Sequence, residues 1–329
     1  MAALALQIAT IGAVLGLPAM LWAGWVLVRR WSGLAPRTRR WALIAFGTFE
    51  LAYWLNVYAW LIEPRMLVVQ RVEIVSEQWR GAPVTLALLS DTHVPSPHMD
   101  SARAGRIVAR INQLQPDLVL LLGDYVGGRG AEAERTPETR NEVMAGIATF
   151  AGLNAPLGAV AVLGNRDNLY SRASIMGALE QAGVAALWDR HVVISRPGGD
   201  IVVVGLADDV TAAPDYARAI DGAPENADML VLSHTPDEFL EVPAGAALLL
   251  AGHTHCGQVT IPLIGRPDIP LAHKEYACHR IDEPGRIIYV TGGVGTSLWP
   301  VRFLNPPEIV LIQLRGANAA PEQGGVASG

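Results

Sequence analysis

Five short apolar runs in this chain each lead into an Asp, Asn or His, and that repeated ending restricts the fold more than any other feature. Leu86-Ala87-Leu88-Leu89-Ser90 runs into Asp91-Thr92-His93, and Leu118 to Leu122 runs into Gly123-Asp124. Ala159 to Leu163 runs into Gly164-Asn165-Arg166-Asp167, Met229 to Ser233 into His234, and Leu248 to Ala251 into Gly252-His253-Thr254-His255. Continuous apolar runs of this length read as strands buried on both faces. In open α/β sheets, functional groups gather at the carboxyl ends of the strands. The five endings are therefore expected to converge. Alternation along an extended chain would put Asp91 and His93 on one side, and likewise His253 and His255. Gly123, Gly164 and Gly252 each precede one of these polar residues, where close backbone approach needs the missing Cβ.

The surrounding pattern predicts strands over 66–75, 84–89, 118–122, 159–163, 201–206, 229–232, 247–250, 287–290 and 309–314. Helices are predicted over 103–114, 136–153 and 171–182, the first from apolar residues spaced by three and four (Ile107, Val108, Ile111, Leu114). Helices alternate with strands early and strands dominate late, which predicts a layered α/β domain over 66–315. The Gly-, Ala- and Ser-rich tail, 316–329, is expected to be disordered.

Residues 1–65 differ in texture. Leu4 to Val28 carries no charge and is long enough for a helix to cross a bilayer. Trp41 to Ile62 is a second apolar stretch, interrupted by Glu50 and Asn56. Trp and Tyr cluster near the ends of both, as at headgroup depth. The reading is a transmembrane helical hairpin, with Glu50 facing the partner helix. A buried or interfacial amphipathic helix is the alternative for the second stretch. Arg29, Arg30, Arg37, Arg39 and Arg40 fall between the two. Positive loops stay in the cytoplasm, so the domain beyond is expected outside it, in a multi-pass inner-membrane protein. If only the first stretch spans, the domain faces the cytoplasm instead. A formal net charge of −6 argues against a nucleic-acid surface.

Mixed carboxylate, imidazole and amide donors suit manganese, iron, zinc or nickel better than calcium. One carboxylate between two clusters can bridge two such ions. Each fragment alone is a common turn or cap; the set in this order is not. These residues resemble the calcineurin-like metallophosphoesterases over about 84–314: D-x-H at Asp91 and His93, G-D at Asp124, G-N at Asn165, His234, and G-H-x-H at His253 and His255. The membrane segments, Gly293 to Ser297, Pro300-Val301-Arg302 and Pro307-Glu308-Ile309 resemble its membrane-associated bacterial branch. The resemblance implies a two-sheet sandwich flanked by helices. It implies that Asp91, His93, Asp124 and His255 hold one divalent ion, and that Asp124, Asn165, His234 and His253 hold a second.

One departure matters. The family usually follows Gly-Asn with His, held to protonate the leaving group; here the residue is Arg166. Arginine cannot give up a proton at neutral pH, but it can clamp phosphoryl oxygens. Arg166, Asn165 and Asp124 are therefore the expected catalytic residues. The expected substrate is a phosphorylated, lipid-linked small molecule with a good leaving group, cut at a phosphodiester or pyrophosphate bond. A UDP-2,3-diacylglucosamine-type pyrophosphate is one alternative, since Gly-Asn-Arg-Asp also occurs in hydrolases of that kind; it would require a cytoplasmic domain. A catalytically weak metal-binding membrane module is the other.

The remaining features carry less. Cys256 and Cys278 either pair once or stay free, and Cys256 reads most simply as a small packed residue. His98 reads as a solvated loop histidine before a substitute acid, and Asp167 as a supporting or turn residue. Gly127 to Gly130 reads as a flexible loop. No phosphate-binding Gly-Lys-Ser/Thr loop exists, so the chain is not a nucleotide-driven motor.

Overall fold

The computed structural model describes residues 2–242, 245–267, 269–271 and 273–317. The chain begins with two antiparallel helices, α1 (Ala2–Arg30) and α2 (Pro36–Val57), then a π-helical turn and a 3-10 turn ending at Arg65. The arginines do not form a loop: Arg29 and Arg30 finish α1, and Arg37, Arg39 and Arg40 open α2. The helices approach closely where Gly16 faces Tyr53 and Gly24 faces Phe46. Their outer faces expose Leu15, Trp22, Trp25, Trp41, Phe49 and Leu51. By length and composition, Leu4–Gly33 is able to cross a membrane.

The rest is strands β1 (Val68–Ser76), β2 (Val84–Leu89), β3 (Leu118–Leu122), β4 (Ala159–Val162), β5 (Ala185–Ala186), β6 (Arg190–Ile194), β7 (Ile201–Gly205), β8 (Asp228–Leu232), β9 (Leu248–Ala251), β10 (His279–Glu283), β11 (Arg286–Val290) and β12 (Glu308–Gly316). Helices α3 (Ser101–Gln113), α4 (Pro137–Ala148), α5 (Asn165–Gln181) and α6 (Tyr216–Ile220) connect them. The strands form two six-stranded sheets, β1-β12-β2-β3-β4-β5 and β10-β11-β9-β8-β7-β6. β2 to β5 run parallel, as do β7, β8, β9 and β11.

Period-two alternation builds the core. Leu86, Leu88, Leu118, Leu120 and Leu122 of one sheet meet Val203, Leu230, Leu232, Leu248 and Leu250 of the other in a single buried cluster. The alternate residues, Ala87, Leu89, Val119 and Leu121, face α3, α4 and α5. Val202, Val204, Val231 and Leu249 line the outer layer on the far side. This is the two-sheet sandwich flanked by helices that the sequence led us to expect.

Several boundaries moved. The helix expected from residue 171 begins at Asn165 and carries a kink at Ser171. The helix expected over 136–153 ends at Ala148 in a 3-10 turn. The polar edge strands β6 and β10 were not predicted. Gly316 closes β12, and 318–329 of the expected disordered tail lie outside the described residues.

Candidate functional site

The carboxyl ends of β2, β3 and β4 meet those of β8 and β9 at one edge of the sandwich, and the predicted residues all arrive there. They divide into two trios of mutually close donor atoms: Asp91, His93 and His255, and Asp124, His234 and His253. His93 Nε2 faces His255 Nε2 at 3.0 Å, and His253 Nδ1 faces His234 Nε2 at 3.1 Å. Asp124 stands between the trios. Its Oδ2 lies 3.7 Å from His93 Nε2 and its Oδ1 3.5 Å from His234 Nε2. Asn165 begins α5 and lines the same cavity.

The backbone differs from the expected extended alternation. Asp91, His93, Asp124, His253 and His255 all have φ between 49° and 66°. Left-handed conformations are unfavourable for such residues and persist only where the surroundings over-determine them. Here neighbouring strand ends supply the constraint: Asp91 N donates to Gly123 O at 2.9 Å, and His93 N donates to Asp124 O at 3.0 Å. Gly164 permits the close approach, since a Cβ there would stand 2.3 Å from Asp124 Oδ1.

Supporting residues set the donors. His93 Nδ1 donates to Val126 O at 3.2 Å, and His234 Nδ1 donates to Leu122 O at 2.7 Å, which turns each Nε2 toward the centre. Asp167 accepts from the backbone N–H of Asp124, Tyr125, Val126 and Gly164 at 2.8 to 3.0 Å, locking the Asp124 loop to α5. Burial and the adjacent Asp124 push its pKa up to about 7, against the pull of those N–H groups. Arg302 is fully buried; its guanidinium donates to the carbonyls of Gly292, Gly295 and Asn305 and lies 3.3 Å from His255 Nδ1. The sequence marked Arg302 only as part of a family-like ending.

Charge follows the same division. Burial opposes the Asp124 carboxylate, yet His234 and His93 hold its pKa below the ordinary range. Burial, reinforced by His234, lowers His253 to about 4; burial with His93 and Arg302 holds His255 well below the ordinary imidazole value. Both shifts disfavour the protonated imidazole. Burial likewise raises Asp91.

Asp91 Oδ1 and Asn165 Oδ1 are buried with no hydrogen-bond partner. Unpartnered oxygens beside paired, facing imidazole nitrogens are costly in a protein interior. Cations between them would satisfy both, so the donor set fits divalent metal.

Arg166 points into the cavity. Its Nη1 donates to Gly128 O and its Nη2 to Ser297 Oγ, each at 3.2 Å, with Nε 4.0 Å from Asp124 Oδ2. The cavity is about 510 Å³ and is also lined by Arg129, Leu298, Trp299 and Val301. Two other sequence readings are resolved. Of the two alternatives left open for the cysteines the paired one is found: Cys256 is buried and disulfide-bonded to Cys278, with Cα atoms 4.9 Å apart, directly after His255. His98 is not solvated; it is buried and donates through Nε2 to Pro300 O at 3.1 Å, away from the metal-ligating groups.

The profile of the calcineurin-like phosphoesterase family matches residues 84–257, more than half of the chain. The chain belongs to that family. Among similar proteins, "uncharacterized metallophosphoesterase YkuE" of Bacillus subtilis (strain 168) is 26% identical over 79% of this chain and 90% of its own length. "Phosphodiesterase YaeI" of Escherichia coli (strain K12) is 29% identical over 78% of this chain and 92% of its own length. A Danio rerio "transmembrane protein with metallophosphoesterase domain" is 28% identical over 75% of this chain and 56% of its own length. This member of the calcineurin-like family is thus a metallophosphoesterase, a metal-dependent hydrolase of phosphoric esters acting on phosphorylated substrates. Its apolar N-terminal helix and its likeness to a transmembrane protein point to membrane association.

Proposed function

We propose that Asp91, His93 and His255 hold one divalent ion, that Asn165, His234 and His253 hold a second, and that Asp124 bridges them. The observation that carries this reading is the position of Asp124, one oxygen toward His93 and the other toward His234. Manganese, iron, zinc and nickel match this donor set. When bound, the pair supplies Lewis acidity and activation of water.

The chain's own residues do the rest. The Arg166 guanidinium, anchored on Gly128 and Ser297, grips the phosphoryl oxygens as charge develops. Asn165 and the amino end of α5 face the same oxygens, where a helix start favours anions. Arginine offers the leaving group no proton, so phosphodiesters with good leaving groups and pyrophosphates are favoured over alkyl monoesters.

A lipid-linked substrate is supported by what surrounds the cavity. The loop 297–305 that forms one wall rests on the base of the helical pair. Arg302 N donates to Ala59 O at 3.0 Å, and the buried Glu63 carboxylate accepts from Leu304 N and Asn305 N at 2.9 and 2.6 Å. Leu298, Trp299 and Leu304 are exposed on that loop, and Leu263 and Ile264 on its bonded neighbour. Apolar side chains beside a membrane segment suit a substrate that stays in the bilayer. We read residues 1–65 as a two-span membrane unit and 66–315 as the catalytic unit. The basic helix junction and the Cys256–Cys278 bond both favour an extracytoplasmic catalytic unit. That placement disfavours nucleotide-sugar substrates.

The decisive variant is Asp124→Asn. It should lower bound metal from two equivalents and abolish hydrolysis of bis(p-nitrophenyl) phosphate. Retention of turnover would refute the assignment.

A further inference from the structure

A second cavity lies on the other side of the 297–305 loop, away from the metal-ligating groups. It occupies about 400 Å³ between the last turn of the helical pair, the β2–α3 connection and the first turns of α3. Arg65, Arg103 and Arg106 line it. The arginine ion pairs among the described residues involve Arg166, Arg190, Arg280, Arg286 and Arg315, and leave these three out. The one carboxylate lining the cavity, Asp100, accepts from Arg103 N at 2.7 Å as the cap of α3. Arg103 is fixed in place, donating to His98 O at 2.8 Å and Met66 O at 3.1 Å.

Three guanidiniums gathered about a single carboxylate leave a net positive charge and repel one another. One buried polar atom on the same wall also lacks a partner, Ser96 Oγ. The unmet groups are guanidiniums and a hydroxyl. Their common complement is a tetrahedral oxyanion, whose oxygens accept from guanidinium and hydroxyl and whose charge offsets the cluster. The amino end of α3 adds favourable dipole in the same direction.

We propose that this cavity binds a phosphate group, carried by an anionic phospholipid headgroup or present as free phosphate. Arg65 ends the 3-10 turn that follows the helical pair. The cavity is built from residues outside the catalytic centre, so the inference does not rest on the substrate proposed above.

The test uses the full chain in uncharged detergent, with EDTA present so that metal-dependent binding at the catalytic centre is removed. Dihexanoyl-phosphatidylglycerol, inorganic phosphate and dioctanoylglycerol are titrated calorimetrically into the wild type and into Arg65→Gln/Arg106→Gln. Both positions are exposed, so the variant should fold, and unchanged hydrolysis of a soluble diester by the metal-loaded protein confirms that it has. Phosphatidylglycerol affinity at least tenfold weaker in the variant supports a headgroup site. The same loss for inorganic phosphate, with the lipid binding no tighter, supports a free-phosphate site. Equal affinity of wild type and variant for both phosphate probes, or equally tight binding of dioctanoylglycerol, overturns the proposal.

Discussion

Under the proposed function, Arg166 sets which bonds this site can break. Its guanidinium is held by Gly128 O and Ser297 Oγ beside Asp124, so it is oriented before substrate arrives. Replacing it with Ala should lower kcat/KM for an activated diester by about 10²–10³, the effect of removing one preorganised oxyanion donor, with metal content unchanged. Arg166→His should raise turnover of alkyl relative to aryl phosphates, because imidazole can deliver a proton near neutral pH. His98 gives a different prediction at this scale. Burial, with Arg65 and Arg103 nearby, lowers its pKa from 6.5 to about 4. Between those values the unfolded chain binds the proton and the folded chain does not. The stabilising contribution is therefore full above about pH 6.5 and declines as pH falls toward 4. His98→Gln should flatten that slope by about 2 kcal/mol after allowance for solvent screening, measured by urea melts in phosphate-free buffer with EDTA. Parallel stability curves would contradict it. The site's donor residues were legible in the sequence because apolar strands must end somewhere and these endings repeat. The left-handed backbone at Asp91 and His93 was not, because it is imposed by hydrogen bonds from β3's end, distant in sequence.

At the level of elements, the site depends on connections that hold strand ends together. Asp167 ties the Asp124 loop to α5 through four backbone donors, which Asn could only partly replace. The disulfide ties the turn after His255 to the start of β10. Changing both Cys256 and Cys278 to Ala should destabilise the protein by about 3 kcal/mol, as expected for a closed loop of this length, and weaken metal retention. Calorimetry and metal analysis after dialysis would check both parts. Strands β2, β3, β8 and β9 were readable because they are apolar on both faces. β6 and β10 escaped notice because each is a short outer strand with little apolar sequence: Arg190 and His191 open β6, and Ile281 is the single apolar residue of β10. α5 begins six residues before its apolar pattern does, since Gly164 and Asp167 start it rather than any hydrophobic face.

For the whole molecule, the open question of sidedness becomes an experiment. Protease added to spheroplasts should remove the catalytic unit while the helical pair stays protected. Digestion only after the membrane is opened would refute the proposed orientation. The sequence announced the apolar helices through length alone, but it did not reveal how they join the rest. That joint runs through Glu63, whose buried carboxylate caps Leu304 and Asn305, and through Ala59, which accepts from Arg302. The helical pair thus helps to shape the loop that walls the catalytic cavity. A secreted, water-soluble version cut at residue 66 would look like a complete enzyme on paper and lack part of its own scaffolding. The useful cut lies upstream of Tyr58, keeping the final turn as a short handle on the enzyme.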